Sequence, residues 1–313
     1  VAVRIARAAA GNEGVAICGY HGWHDWYLSV NHNTGDDLLS NHLLPGLEPN
    51  GVPKALKNTV FPFMYNNFEE LSEIVNTKKI GVIKMEVMRN YGPENNFLQK
   101  VRKLANDKNI VLIFDECTSG FRETNGGIFK KYNVTPDLAM FGKTLGNGYA
   151  ITAVVGKKSV MEAAQKTFIS STFWTERIGP AAALKTLEVM ESMSSWSYVS
   201  NLGSLIRKSL HKLASRYDLN ITFAGLLPLT SFSFGSQNDL IYKTLITQEM
   251  LKKGFLASNS IYASTAHNEE YIEQYLNAID TVFEVIGKCE KGVISSSELL
   301  EVPVCSSGFS RLN

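Results

Sequence analysis

The chain carries almost no excess of charge of either sign. Against 30 Asp and Glu stand 31 Lys and Arg in 313 residues, a formal net charge of +1. Binding phosphate backbones or anionic lipid needs a basic surplus, so no nucleic-acid or membrane partner is expected. Cysteine is also scarce. Cys18, Cys117, Cys289 and Cys305 are scattered with no C-x-x-C spacing, which argues against a disulfide framework or a structural zinc site and makes the cytoplasm the default compartment. No apolar run approaches the roughly 18 residues of a membrane span, and no signal-peptide pattern opens the chain. No G-x-G-x-x-G follows the first strand, which sets aside a nicotinamide-dependent oxidoreductase. There is no internal repeat.

What is present is an ordinary globular composition, 44% hydrophobic and 19% charged, with short apolar runs alternating with helical periodicity. That alternation is the signature of crossover units and a parallel sheet. A helix is expected from the first residues to a stop at Gly11, since Val1, Ile5 and Ala8 or Ala9 share one face. Strands are predicted over 14–20, 80–87, 110–116, 138–143 and 151–156, and helices over 67–77 and 94–108. These strands are continuously apolar, as required where helices cover both sheet faces.

Two further helices follow residue 177. Beyond them lie strand-like 221–235, a helix near 238–253, a short strand "GFLAS" and a helix over 268–287. The fold class is therefore α/β: a mostly parallel central sheet covered by helices, with a smaller C-terminal α+β domain. The expected division is a large domain over 1–200, a small domain over 201–290, and a Ser-rich, loosely ordered tail over 291–313.

In such sheets ligands sit beyond the carboxyl ends of the strands, where Tyr20, Glu86, Asp115 and Lys143 all fall. Lys143 ends an apolar run and precedes "LGNGYA", whose glycines permit a tight turn over a ligand. A lysine so placed can attack a carbonyl; alone, it reads more readily as a solvated strand end, and it is the residues around it that reverse this. Asp115 closes "IVLIFD". A metal role would want further ligands, and strand alternation turns Glu116 to the other face. A role as partner of a cationic ring nitrogen fits better. In "GYHGWHDWY", Tyr20 or His21 could stack on a flat cofactor, or simply pack. A zinc site on His21 and His24 lacks a third ligand. Thr172, in a Ser/Thr cluster before a helix, could reach a phosphate or cap the helix.

Together the stretches "AVRIARAAAG", "GYHGWHDWY", "FDECTSGFR", "PDLAMFGKTLGNGYAITAVVG", "STFWTERIGPAAALKTLEVM" and "STAHNEEYIEQYLNAID" resemble the class III, fold type I aminotransferases that use pyridoxal 5'-phosphate, in the branch containing glutamate-1-semialdehyde aminomutase. They occur in family order over residues 1–287. The resemblance implies that Lys143 is the Schiff-base lysine and proton shuttle, and that Asp115 partners the pyridine nitrogen. It places Tyr20 on the ring face with His21 beside it, and Cys117 on the opposite face. Glu86 matches the strand-end Glu of the family's Glu-Pro pair, with Val87 in place of Pro. Thr172 matches the threonine that reaches a phosphate across a homodimer interface. Small-molecule amines and carbonyl compounds are the implied substrates.

The sequence departs from that pattern at several points. Tyr91 stands where many members carry a second Glu, and no Arg occurs between Arg216 and Arg311, so a C-terminal carboxylate clamp is absent. Trp174, Glu176 and Arg177 replace a small segment near the expected rim. The family's phosphate-binding turn would precede the helix that opens here, so an N-terminally truncated form is expected. Transamination through Lys143 is the leading reading. Intramolecular amino transfer, and a non-catalytic truncated relative with poor cofactor binding, are the alternatives.

Overall fold

The computed structural model describes residues 1–32 and 47–307. They form two compact units, Val1–Glu191 and Ser192–Ser307. Among the described residues no helix is long and apolar enough to cross a membrane.

The first unit is built on a six-stranded sheet. Its strands are β1 (Gly14–Cys18), β2 (Val60–Pro62), β3 (Ile80–Glu86), β4 (Val111–Asp115), β5 (Leu138–Phe141) and β6 (Ala153–Gly156), in the order β2-β1-β3-β4-β5-β6. β1 to β5 run parallel and β6 pairs antiparallel with β5. β1, β3 and β4 are buried along their whole length, as continuous apolar runs require. β2 was not expected. It is three residues long, ends on Pro62 and lies at the sheet edge, where a missing backbone N–H leaves no ladder bond unmade.

The helices of this unit are α1 (Ala2–Ala10), α2 (Asp25–Leu28), α3 (Phe68–Thr77), α4 (Phe97–Asp107) and α5 (Lys158–Met161), with α6 (Ile178–Met193) leading out of it. α1 buries Ala2, Val3, Ile5 and Ala6 against Val15, Ile17, Val82, Val111 and Ile113 of the sheet, and Gly11 ends it in the left-handed conformation. α3 begins at Asn67, whose Oδ1 accepts the Glu70 N–H at 3.1 Å, and Glu69 and Glu70 in its first turn complement the helix dipole. α4 starts at Phe97 rather than residue 94, because Asn95 and Asn96 both hold positive φ.

The second unit packs α7 (Ser195–Arg216), α8 (Asp239–Lys252) and α9 (Glu269–Glu290) with a three-stranded antiparallel sheet, β7 (Thr222–Ala224), β8 (Leu229–Ser233) and β9 (Ser260–Tyr262). Its core includes Ile206, Leu210, Tyr242, Ile246, Ile279 and Phe283. The stretch 221–235 is a hairpin, broken where Gly225 takes φ +85°. "GFLAS" is not a strand; the edge strand forms just after it, at β9. Residues 291–307 are held to this unit: Gln248 Nε2 donates to Leu299 O at 3.0 Å, Glu301 N to Gln248 Oε1 at 2.7 Å and Cys305 N to Thr244 Oγ1 at 3.0 Å. The Ser-rich composition suggested loose chain here; side-chain amide and hydroxyl groups of α8 supply the partners. Residues 308–313 of the expected tail lie outside the described residues.

Candidate active site

Parallel register brings the carboxyl ends of β3 and β4 level, pairing Lys84 with Ile113 and Glu86 with Asp115. Because side chains alternate along a strand, Val82, Lys84 and Glu86 share a face with Val111, Ile113 and Asp115. Lower on the sheet that face is the apolar surface beneath α1; at its carboxyl end it becomes polar.

Asp115 is 9% exposed and both its oxygens are engaged. Oδ1 accepts the Cys117 N–H at 3.1 Å, and Oδ2 lies 2.6 Å from Lys84 Nζ. Lys84 is itself 2% exposed and also donates to His21 Nδ1. His21 Nε2 sits 3.1 Å from Cys18 O, which fixes the tautomer: Nε2 carries the proton and Nδ1 accepts from Lys84. Burial and the Lys84 charge push His21 down to about 4, so the ring is neutral. Burial alone would raise Asp115, but contact with His21 and Lys84 outweighs it and holds the carboxyl well below the usual range. The 2.6 Å Lys84 contact is the one that persists with His21 neutral. Burial lowers Lys84, opposed by Asp115.

Glu86 is buried and pairs with Arg89, Nη1 to Oε1 at 2.9 Å, while its Oε2 accepts the Tyr20 N–H at 3.3 Å. Burial raises this carboxyl and Arg89 opposes the rise. A cavity of about 290 Å³ opens beside it, lined by Cys18, Gly19, Tyr65, Glu86, Arg89 and Tyr91 among others. Tyr20 is half-buried, its ring edge-on to Tyr27 at 6.1 Å.

Lys143 follows β5, the strand next to β4, in a 3-10 turn over Lys143–Leu145. Its side chain is exposed and Nζ donates to Thr118 Oγ1 at 2.6 Å. Its backbone sits at φ +38°, an uncommon conformation for a residue bearing a Cβ. Cys117 lies between lysine and acid: a Cβ on Gly142 would fall 2.6 Å from its Sγ, and its thiol, raised first by burial and then by Asp115, feels the Lys143 charge as well.

Tyr20, His21, Glu86, Asp115, Cys117 and Lys143 therefore lie on the loops and strand ends at the carboxyl end of the sheet, on the neighbouring strands β1, β3, β4 and β5. Thr172 does not share their contacts. It lies exposed in a 3-10 turn, Thr172–Thr175, started by Ser171 Oγ accepting the Phe173 N–H at 3.3 Å. Glu116 is internal, accepting from Ser119 Oγ at 2.5 Å and Phe129 N at 3.0 Å. No cluster of three metal-ligating side chains exists among the described residues. Lys84 and Arg89 were not anticipated. The available signal was a lone Lys inside the apolar run "IGVIKMEV": in a doubly covered sheet such a residue must be buried and paired.

An exposed amine on one strand end and a buried acid on the next, with a small side chain packed between, is a donor set that fits a flat aldehyde-bearing heterocycle. The comparisons agree. Residues 5–285 match the class-III aminotransferase family. The chain is 34% identical over 257 residues to a 3-aminobutyryl-CoA aminotransferase of Cloacimonas acidaminovorans, covering 79% of this chain and 58% of that protein. It is 30% identical to a glutamate-1-semialdehyde 2,1-aminomutase of Sulfurisphaera tokodaii, covering 91% of this chain and 72% of that one. The chain thus spans less than two thirds of the length of the first of these relatives. Among solved structures, the PLP internal aldimine form of the Sphingopyxis sp. MTA144 FumI protein superposes with TM-score 0.80 at 21% identity, covering 96% of this chain and 71% of that one. An omega-transaminase from Sphaerobacter thermophilus gives 0.79 at 20%, covering 90% and 70%. In its mostly parallel sheet, and in the sequence it shares with these relatives over most of its length, the chain belongs to the class-III aminotransferase family.

Proposed function

We propose that the protein binds pyridoxal 5'-phosphate and moves an amino group between a small-molecule amine and an aldehyde or keto compound. The observation that carries this reading is the placement of Lys143 and Asp115 at the ends of adjacent parallel strands with Cys117 packed between them.

Pyridoxal phosphate, when bound, supplies an aldehyde for amine exchange and an aromatic ring that takes up the electrons of a substrate carbanion. The chain supplies the rest. Lys143 Nζ is exposed and held by the Thr118 hydroxyl at 2.6 Å, so it is free to attack a carbonyl and to carry a proton to and from the substrate carbon. Asp115, a buried carboxylate, would partner the ring nitrogen. Tyr20 and Cys117 are the candidates for the two ring faces, with His21 anchoring the Tyr20 loop through Cys18 O. Glu86, tied to the Tyr20 N–H, fixes that loop to β3.

A homodimer in which Thr172 reaches the partner's phosphate is part of the proposal. It is supported by the exposed apolar cluster around that residue: Phe168, Phe173, Trp174 and Ile178 are 85%, 78%, 61% and 68% exposed, which marks an interaction surface. A cytoplasmic setting fits the four free cysteines. Intramolecular amino transfer is the second reading, favoured by the lack of any Arg between Arg216 and Arg311.

The test is to mix the purified protein with pyridoxal phosphate. A visible absorption band that borohydride fixes onto Lys143, and that Lys143→Ala abolishes, is expected. A protein that stays colourless is the non-catalytic relative. Conversion of one substrate into its isomer without added keto acid would select the intramolecular reaction.

A further inference from the structure

Resting on the reading above, we propose that the cavity at the carboxyl ends of β1 and β3 receives the arm of the substrate that carries no reacting group, and that this arm is uncharged and rich in hydroxyl groups, as in an amino sugar or its keto counterpart.

The position of the cavity suits it to that task. It holds about 290 Å³ and is lined by Glu86 at the end of β3 and by Gly19, whose neighbour Tyr20 is the candidate for one ring face. Lys143 follows β5, two strands along from β3 in the order β1-β3-β4-β5. At about 4.8 Å between neighbouring strands, cavity and amine are separated by on the order of 10 Å across the sheet. That is the scale of a small substrate lying between them. The walls are held before any ligand arrives, because Asn66 ties the loop after β3 to the turn before α3: its Nδ2 donates to Gly92 O at 3.1 Å and its Oδ1 accepts the Glu94 N–H at 3.0 Å.

The charges of the lining disfavour an anion and a second ammonium alike. Arg89 alone among the lining residues is a cation, and its Nη1 donates to both oxygens of Glu86, at 2.9 and 3.1 Å. The Glu86 side chain is 9% exposed, so a substrate carboxylate would have to displace a buried one already in place. Glu94 is the other acid of the lining. It is exposed, and water screens its attraction for an ammonium. What the walls do offer is hydrogen bonding of both senses: the Nε and Nη2 donors of Arg89, the Asn90 amide, the Tyr91 hydroxyl and the Glu94 carboxylate have no hydrogen-bond partner among the described residues. A hydroxyl donates and accepts, so a row of hydroxyls satisfies such a mixed set where an ammonium or a carboxylate cannot. Met64 and the ring of Tyr91, 42% and 66% exposed, supply apolar surface for the C–H face of a sugar.

The experiment is fluorine NMR of the cofactor-free protein labelled with fluorotyrosine, the Tyr91 resonance being identified by its loss in Tyr91→Phe. Methyl glucoside should shift that resonance saturably and bind more tightly than glutarate or putrescine. In Asn90→Ala, a change at an exposed side chain, glucoside binding should weaken about fivefold to tenfold. Glu86→Gln keeps an acceptor for the Tyr20 N–H but releases Arg89 from its charged partner, so glutarate should bind about tenfold more tightly than to the wild type. In parallel, the protein is mixed with pyridoxal phosphate and the visible Lys143 adduct is followed as amines are added. Glucamine should consume it faster than hexylamine or γ-aminobutyrate. Wild-type binding of glutarate or putrescine that is tighter than that of the glucoside overturns this inference and leaves the proposed function standing. So does a Tyr91 resonance that no probe moves, or glucamine reacting no faster than hexylamine. Failure to form the Lys143 adduct overturns the proposed function and this inference with it.

Discussion

Gly19 and Glu86 approach so closely that a Cβ on residue 19 would sit 2.5 Å from Oε2 of the carboxylate. The glycine also holds φ +96°. The close approach lets the chain turn out of β1 while the Tyr20 N–H reaches Glu86. Gly19→Ala carries two penalties, backbone strain and displacement of a buried acid. Gly11, at φ +60° with nothing near its missing Cβ, carries only the first. We expect Gly11→Ala to lower unfolding free energy by about 1 kcal/mol and Gly19→Ala by about 2 kcal/mol or more. Equal urea midpoints for the two variants would mean that the Glu86 contact is not tight.

The pair Lys84 and Asp115 offers a second test. Removing one partner of a buried ion pair strands the other in a poor solvent for charge. Lys84→Met alone should therefore cost the cofactor-free protein about 3–5 kcal/mol. The double variant Lys84→Met, Asp115→Leu should recover most of that loss, because no charge is left unpaired. Additive losses in the double-mutant cycle would show that the pair is not coupled.

Much of this arrangement is legible in the sequence, and the illegible part has physical causes. Five strands of the large sheet announce themselves as apolar runs. β2 does not, because three residues ending on Pro62 carry too little pattern at a sheet edge. The antiparallel sense of β6 is likewise invisible, since pairing direction is set by the path of the chain and not by local composition. Asp115 and Lys143 can be found from their positions at strand ends. Lys84 was missed because it lies inside a strand, where one polar residue among apolar ones carries little weight in a pattern; only its burial, 2% exposed, reveals that it must have a partner. In the second unit, Gly225 breaks what reads as one strand into two.

His21 predicts a pH window for stability. Its folded value is lowered from 6.5 to about 4, first by burial and then by Lys84, so between those values the unfolded chain binds the proton that the folded chain refuses. The stabilisation is fully present above pH 6.5 and is lost as pH falls through 4, roughly 3 kcal/mol in all. Asp115 and Asp137, both lowered carboxylates despite burial, contribute losses at lower pH, below the ordinary range of an Asp. Urea midpoints measured from pH 7.5 to 4.5 should fall steadily in the wild type. His21→Gln, which keeps a polar partner for Lys84 but cannot titrate, should flatten that slope. An unchanged slope in the variant would assign the loss to other groups.

Lys143 makes the last prediction, since reactive amine and backbone strain meet at one residue. Its φ of +38° is one that side chains disfavour and glycine accepts freely. The side chain gives little back: it is exposed, and its hydrogen bond to Thr118 is of the kind worth about 1 kcal/mol in water. Strain at such a position persists when function requires the side chain and the surroundings hold the backbone in place. Lys143→Gly should then be more stable than Lys143→Ala by about 1 kcal/mol, although both lose the borohydride-fixable adduct equally. The comparison separates two roles that a single alanine variant confounds, because the two variants share the loss of the amine and differ only in what the backbone tolerates. If the glycine variant proves the less stable of the two, the left-handed backbone at this position is relaxed and the strain argument fails, while the assignment of the amine is untouched.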